Sequence, residues 1–177
     1  MKQMDEKRLY EACVRKEKKA QKELYDSYSP LLMGVCMRYA NSREEAEDIL
    51  IEGFTHIFTH LEEFRFECSL SSWMRKVMTH TAISFFRKHH KHHNGIPMDE
   101  AFEREWKAAQ STPVEVTEAK NILSLVQKMP ETLRVVFNLF VVEGYSHKEI
   151  AEMINCKEST SRSQLTRAKS WLKERIQ

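Results

Sequence analysis

Histidine and cysteine are the residue types here with the most obvious chemistry. The 177-residue chain carries eight histidines and four cysteines. His89, His90, His92 and His93 crowd into FFRKHHKHHNG beside Arg87, Lys88 and Lys91. His56 and His60 lie a helical turn apart, a spacing that puts both rings on one face. A zinc site needs three or four ligands, and neither group has an evident acidic or thiolate third partner. The pattern therefore predicts no metal site. Cys13, Cys36, Cys68 and Cys156 are scattered without a CxxC pair, which fits reduced thiols in an intracellular protein. No nucleophile–base arrangement, paired carboxylates or phosphate-cradling glycine loop is legible, so neither catalysis, a cofactor nor a small-molecule substrate is expected. Positive charge at residues 87–91 suits either the negative end of a helix or a phosphate backbone.

The elements that must carry these residues read as helices. Four glycines and four prolines are few for a turn-rich β architecture, and no run is apolar enough for a bilayer or a signal peptide. In SREEAEDILIEGFTHIFTHL, Ser42 with Glu45 forms a capping-box start. Ala46, Ile49, Leu50, Gly53, Phe54, Ile57, Phe58 and Leu61 follow as an apolar stripe. Leu24 to Tyr39 carries a similar stripe, with Pro30 expected near its first turn or at a bend. The serines of SLSSW cap a further helix. That helix is expected to bury Trp73, Val77, Met78, Thr81 and Phe85, leaving Arg75, Lys76, Thr79 and Arg87 outside. Residues 94–117, with Gly95, Pro97 and Pro113, read as an acidic linker with a short helical piece around 101–109.

Beyond the linker the segment from Met129 to Ile176 has helix-turn-helix grammar. Pro130 suits a helix start, and Leu133, Val136, Phe137 and Phe140 form the inner stripe of a supporting helix that Gly144 ends. Ser146 with Glu149 is a second capping box. A small residue, Ala151, allows a close crossing, and a turn over 155–157 leads into a longer helix from Glu158 or Ser159. In that helix Leu165, Ala168 and Leu172 face inward. Arg162, Ser163, Thr166, Arg167 and Ser170 share another face, of types that donate to phosphates and purine edges in a major groove.

The two lobes in this order resemble the extracytoplasmic-function (ECF) subgroup of bacterial sigma factors. The resemblance implies an all-α fold of two small helical domains: residues 1–93 like the sigma-two domain, a linker over 94–117, and residues 118–177 like the sigma-four helix-turn-helix. AEDILIEGF is similar to the helix that docks on the clamp helices of the RNA polymerase largest subunit, which implies roles for Glu47, Asp48 and Glu52, with Leu50, Ile51 and Phe54 nearby. FRFECSLSSWMRKVMTHTAISFFRKHH resembles the loop and helix that open and read the minus-ten promoter element. Phe66 is then the candidate to stack on a flipped base, Arg75, Thr79 and His80 face DNA, and Arg87 and Lys88 take phosphates. ESTSRSQLTRAKSWL resembles the reader of the minus-thirty-five element, which implies contacts from Arg162, Ser163, Gln164, Thr166 and Arg167. The sequence departs from the family pattern at Ile51 (usually glutamine), Phe66 (commonly glycine), His80 (frequently asparagine) and Cys156 (usually aliphatic, expected in the core).

The implied function is promoter-specific initiation with core RNA polymerase, in the cytoplasm, under an anti-sigma partner and without catalysis. The residues alone leave a stand-alone helix-turn-helix regulator open as the alternative.

Overall fold

The computed structural model describes residues 3–89 and 124–176, and every regular element among them is helical. The expected linker, its short helical piece, and His90, His92 and His93 lie outside the described residues.

The N-terminal lobe consists of α1 (Gln3–Val14), α2 (Lys18–Tyr39), α3 (Arg43–His60) with a 3-10 turn at Leu61–Glu63, and α4 (Leu70–His89). Its core joins Leu24, Leu32, Val35 and Cys36 of α2 to Ile49, Phe54 and Ile57 of α3 and to Met74, Met78 and Ala82 of α4. α3 crosses α4 closely at Gly53, where an added Cβ would collide with the Met78 side chain. Helix α2 begins at Lys18, earlier than expected, and continues through Pro30. Buried Ala20 and Leu24 before the proline, and Leu32 after it, pin both halves of the helix in one core. Burial raises the Cys36 thiol to about 12 and that of Cys13 to about 11, so both are packing groups. Cys156, expected in the core, is half-buried.

Two local expectations change. Ser42 accepts the Glu45 N–H at 3.2 Å, but the Glu45 carboxylate reaches back to the Asn41 N–H at 2.8 Å, so the capping box is split over two residues. Thr79, expected outside, is fully buried, and its Oγ1 has no hydrogen-bond partner. The reason is that α4 packs against both α2 and α3, so its covered face is wider than a single stripe.

The C-terminal lobe holds a helical turn at 124–127, α5 (Glu131–Phe137) continuing into a π-helical segment (Asn138–Val142), α6 (His147–Met153) and α7 (Glu158–Ile176). Gly144, at φ +80°, takes the left-handed conformation after the supporting helix. Ser146 and Glu149 form the full reciprocal capping box at α6.

The lobes meet through a buried polar seam. Gln127 Nε2 donates to the carbonyls of Met37 (2.7 Å) and Ala40 (3.1 Å). Arg134, fully buried, donates to the Tyr39 carbonyl (3.2 Å), Asn41 Oδ1 (2.6 Å) and the Gln127 carbonyl (3.0 Å). Asn138 Nδ2 donates to the Arg38 carbonyl at 2.9 Å, and Arg38 pairs with Glu143. A helix end leaves its last carbonyls without intrahelical donors. Here the other lobe supplies them.

Candidate nucleic-acid interface

Helix α7 presents the face read from its sequence. Arg162, Ser163, Thr166, Arg167 and Ser170 are exposed, while Ser161, Leu165, Ala168 and Leu172 are buried. Thr166 and Ser163 hydroxyls donate to carbonyls one turn back, and Arg162 pairs with Glu158 on the same surface. Gln164 differs: it is half-buried, with its Oε1 enclosed and unpartnered, so it does not share the exposed face. Helix α7 is braced by His147, whose Nδ1 lies 2.9 Å from Ser161 Oγ and whose ring stacks on Phe140 at 4.5 Å. Burial first, and then the charge of Arg162, lower the His147 pKa, which favours the neutral ring.

In the N-terminal lobe Phe66 projects from the loop before α4 with 52% of its surface exposed. Its backbone sits at φ +59°, the region that favours glycine, which is the residue the family resemblance puts here. Its ring meets Tyr10 of α1 edge-on at 4.8 Å and lies tilted against Phe64 at 4.7 Å. Together Tyr10, Phe64, Phe66 and Cys68 help line an open cleft of about 680 Å³. Phe64 is core, as expected, whereas Tyr10 was not singled out in the sequence. Nothing near it in sequence marks it; only the packing of α1 brings it to the loop.

Along α4, Arg75, His80, Arg87 and Lys88 are exposed and Thr79 points inward. Two of the exposed four touch the C-terminal lobe. His80 Nε2 lies 3.5 Å from the Tyr145 hydroxyl, and Arg87 donates to the Met153 carbonyl at 3.4 Å. Burial, followed by the charge of Lys76, lowers the His80 pKa. His56 and His60 have hydrogen-bond partners in Thr81 and Glu63 respectively.

On α3, Asp48 is exposed and Ile51 is 61% exposed, while Glu47 pairs with Arg43 and Glu52 with Lys88. Leu50 and Phe54 are corrections. Both are core residues, because they belong to the inward stripe of the same helix; Phe54 packs on Tyr25 at 4.6 Å. Leu50 also lines an open groove of about 410 Å³ with Tyr25, Met33, Ile51 and the charged Arg43 and Glu47.

Comparison with known proteins gives these faces a context. The family described as Sigma-70 region 2 matches residues 24–92, and that described as Sigma-70, region 4 matches residues 119–172. The ECF RNA polymerase sigma-E factor of Haemophilus influenzae is 24% identical over 184 residues, covering 99% of this chain and 97% of that protein. This chain belongs to the ECF sigma factors. The RNA polymerase sigma-H factor of Pseudomonas aeruginosa is also 24% identical, over 188 residues, covering 99% and 95% of the two chains. In the solved structure of CnrH with the cytosolic domain of CnrY, the CnrH fold is similar, with a TM-score of 0.51 at 14% identity over 97% of this chain and 96% of that one.

An ECF sigma factor directs RNA polymerase to promoters, and both regions in one end-to-end match disfavour the stand-alone regulator. Sigma factors are transcription initiation factors and not catalysts. Among the described residues no helix is long and apolar enough to cross a membrane. The sigma factor's least legible residues are those of the seam. Arg134 and Asn138 sit a helical turn apart inside the apolar stretch LRVVFNLF, and that interruption was the available signal.

Proposed function

We propose that the chain works in the cytoplasm as a non-catalytic initiation factor whose surfaces divide as follows. Residues 1–93 dock on the clamp helices of core RNA polymerase and open the minus-ten element. Residues 118–177 read the minus-thirty-five element, and 94–117 connect them. Docking uses Glu47, Asp48, Ile51 and Glu52 on the outer face of α3. Arg75, His80, Arg87 and Lys88 meet minus-ten DNA, and Phe66 with Tyr10 holds an extruded base. Arg162, Ser163, Thr166 and Arg167 contact the minus-thirty-five element.

The observation that carries this reading is the face of α7, where two guanidinium groups and two hydroxyls stand exposed on a helix braced from behind. An anti-sigma partner is proposed on the same footing. CnrH, of similar fold, was solved with the cytosolic domain of CnrY, which supports a protein partner for this chain too.

In vitro transcription with core RNA polymerase on a promoter library tests the reading. Promoter-dependent transcripts that require the added chain are expected. Their absence on every template would overturn it.

A further inference from the structure

Helix α2 ends against the C-terminal lobe in an unusual way. The carbonyls of Met37, Arg38, Tyr39 and Ala40 accept from Gln127, Asn138, Arg134 and Gln127 again. The three donors come from residues 87 to 100 positions away in the chain. Arg134 adds a positive charge where the helix dipole is negative, and burial pulls its guanidinium down to only about 10, so it remains a cation near neutrality. A buried guanidinium with directed partners favours a single docked arrangement of the two lobes.

That arrangement conflicts with promoter reading. Tyr145 lies against His80 with ring centroids 6.1 Å apart, and Arg87 bonds the end of α6. The helix-turn-helix thus stands against the α4 face and engages two of its exposed residues. Elements centred at minus ten and minus thirty-five are roughly 85 Å apart at 3.4 Å per base. Helix α7 is only about 28 Å long, and it follows α6, which touches α4. The docked lobes therefore cannot read both elements together.

We propose that Gln127, Arg134 and Asn138 form a latch on the C-terminal end of α2 that holds the free chain closed and inactive, and that initiation requires its release. The occlusion half of this proposal rests on the promoter-reading surfaces assigned above; the closure half does not. Only the open fraction is competent, so the concentration needed for activity is raised by the inverse of that fraction.

The test uses the full chain with spin labels at Lys19→Cys and Lys173→Cys in a Cys68→Ser/Cys156→Ser background. Pulsed electron resonance should give a single short distance in the parent chain. A longer population should appear in Gln127→Ala/Asn138→Ala and, independently, in Arg38→Ala/Asn41→Ala, which breaks the seam from the other lobe. On a promoter recovered from the library, each variant should half-saturate transcription at about tenfold lower concentration. A parent distribution as broad as that of the variants would overturn closure. Variants that separate but need the parent's concentration would overturn inhibition. Failure of every form to support transcription strikes the polymerase reading, and the distances still decide the latch.

Discussion

Lys88 donates to Glu52 at 3.1 Å, joining a residue assigned to the DNA backbone to one assigned to polymerase docking. The pair links the end of α4 to the middle of α3 and is largely solvent-exposed on the lysine side. Exposed pairs of this kind contribute about 0–1 kcal/mol, so each residue is available to a stronger external partner.

Lys88→Ala is expected to weaken promoter binding by the holoenzyme uniformly across sequences and to reduce the salt slope by about one. Glu52→Gln should weaken association with core polymerase instead. Neither should change stability by more than about 1 kcal/mol. Salt-dependent binding and denaturant melts read these effects separately.

Arg162→Ala and Arg167→Ala are each expected to cost about 1–3 kcal/mol at one base position of the minus-thirty-five element. A binding series over single-base variants measures it. Uniform loss at all positions would make these residues phosphate contacts.

Phe66 offers a test of backbone strain. In the left-handed region a non-glycine residue is disfavoured by about 1–2 kcal/mol. Phe66→Gly removes both ring and strain, whereas Phe66→Ala removes the ring alone. The glycine variant should be the more stable of the two by about 1 kcal/mol in urea melts. Both should impair promoter melting, scored by permanganate reactivity, because base stacking on a ring contributes about 1–3 kcal/mol.

His147 predicts a pH dependence. Its folded pKa is lowered from the ordinary 6.5, so the folded state favours the neutral ring. As pH falls below about 6.5 the unfolded chain binds the proton first, and stability declines until the folded pKa is reached. Arg162 and Lys169 act in this direction and Glu158 against it. His147→Gln should lose that part of the slope in melts between about pH 7 and 5. The His80 contribution, of the same sign, should persist in that variant.

What could be read from the sequence was local. The Ser146–Glu149 box and the Leu165, Ala168, Leu172 stripe each depend on spacings within two turns, and both stand as expected. Thr79 was misplaced because a single-stripe pattern assumes one neighbour, and α4 has two. Leu50 and Phe54 were given both to the core stripe and to the docking surface, and packing can satisfy only one of these. The seam was least legible of all. Arg134 finds its Tyr39 carbonyl 95 residues away, and no periodicity reports on a partner that distant.

The Arg134 site also sets how the molecule should respond to ionic strength. Its partners across the seam are the Tyr39 carbonyl and the Asn41 amide oxygen, neutral groups, and the guanidinium itself is buried. The DNA contacts proposed for the exposed arginines of α7 would form within a counterion atmosphere that salt disperses. Added salt is therefore expected to weaken the DNA contacts while the Arg134 contacts still hold the lobes together. To part them, a competitor must present its own hydrogen-bonding groups to the end of α2.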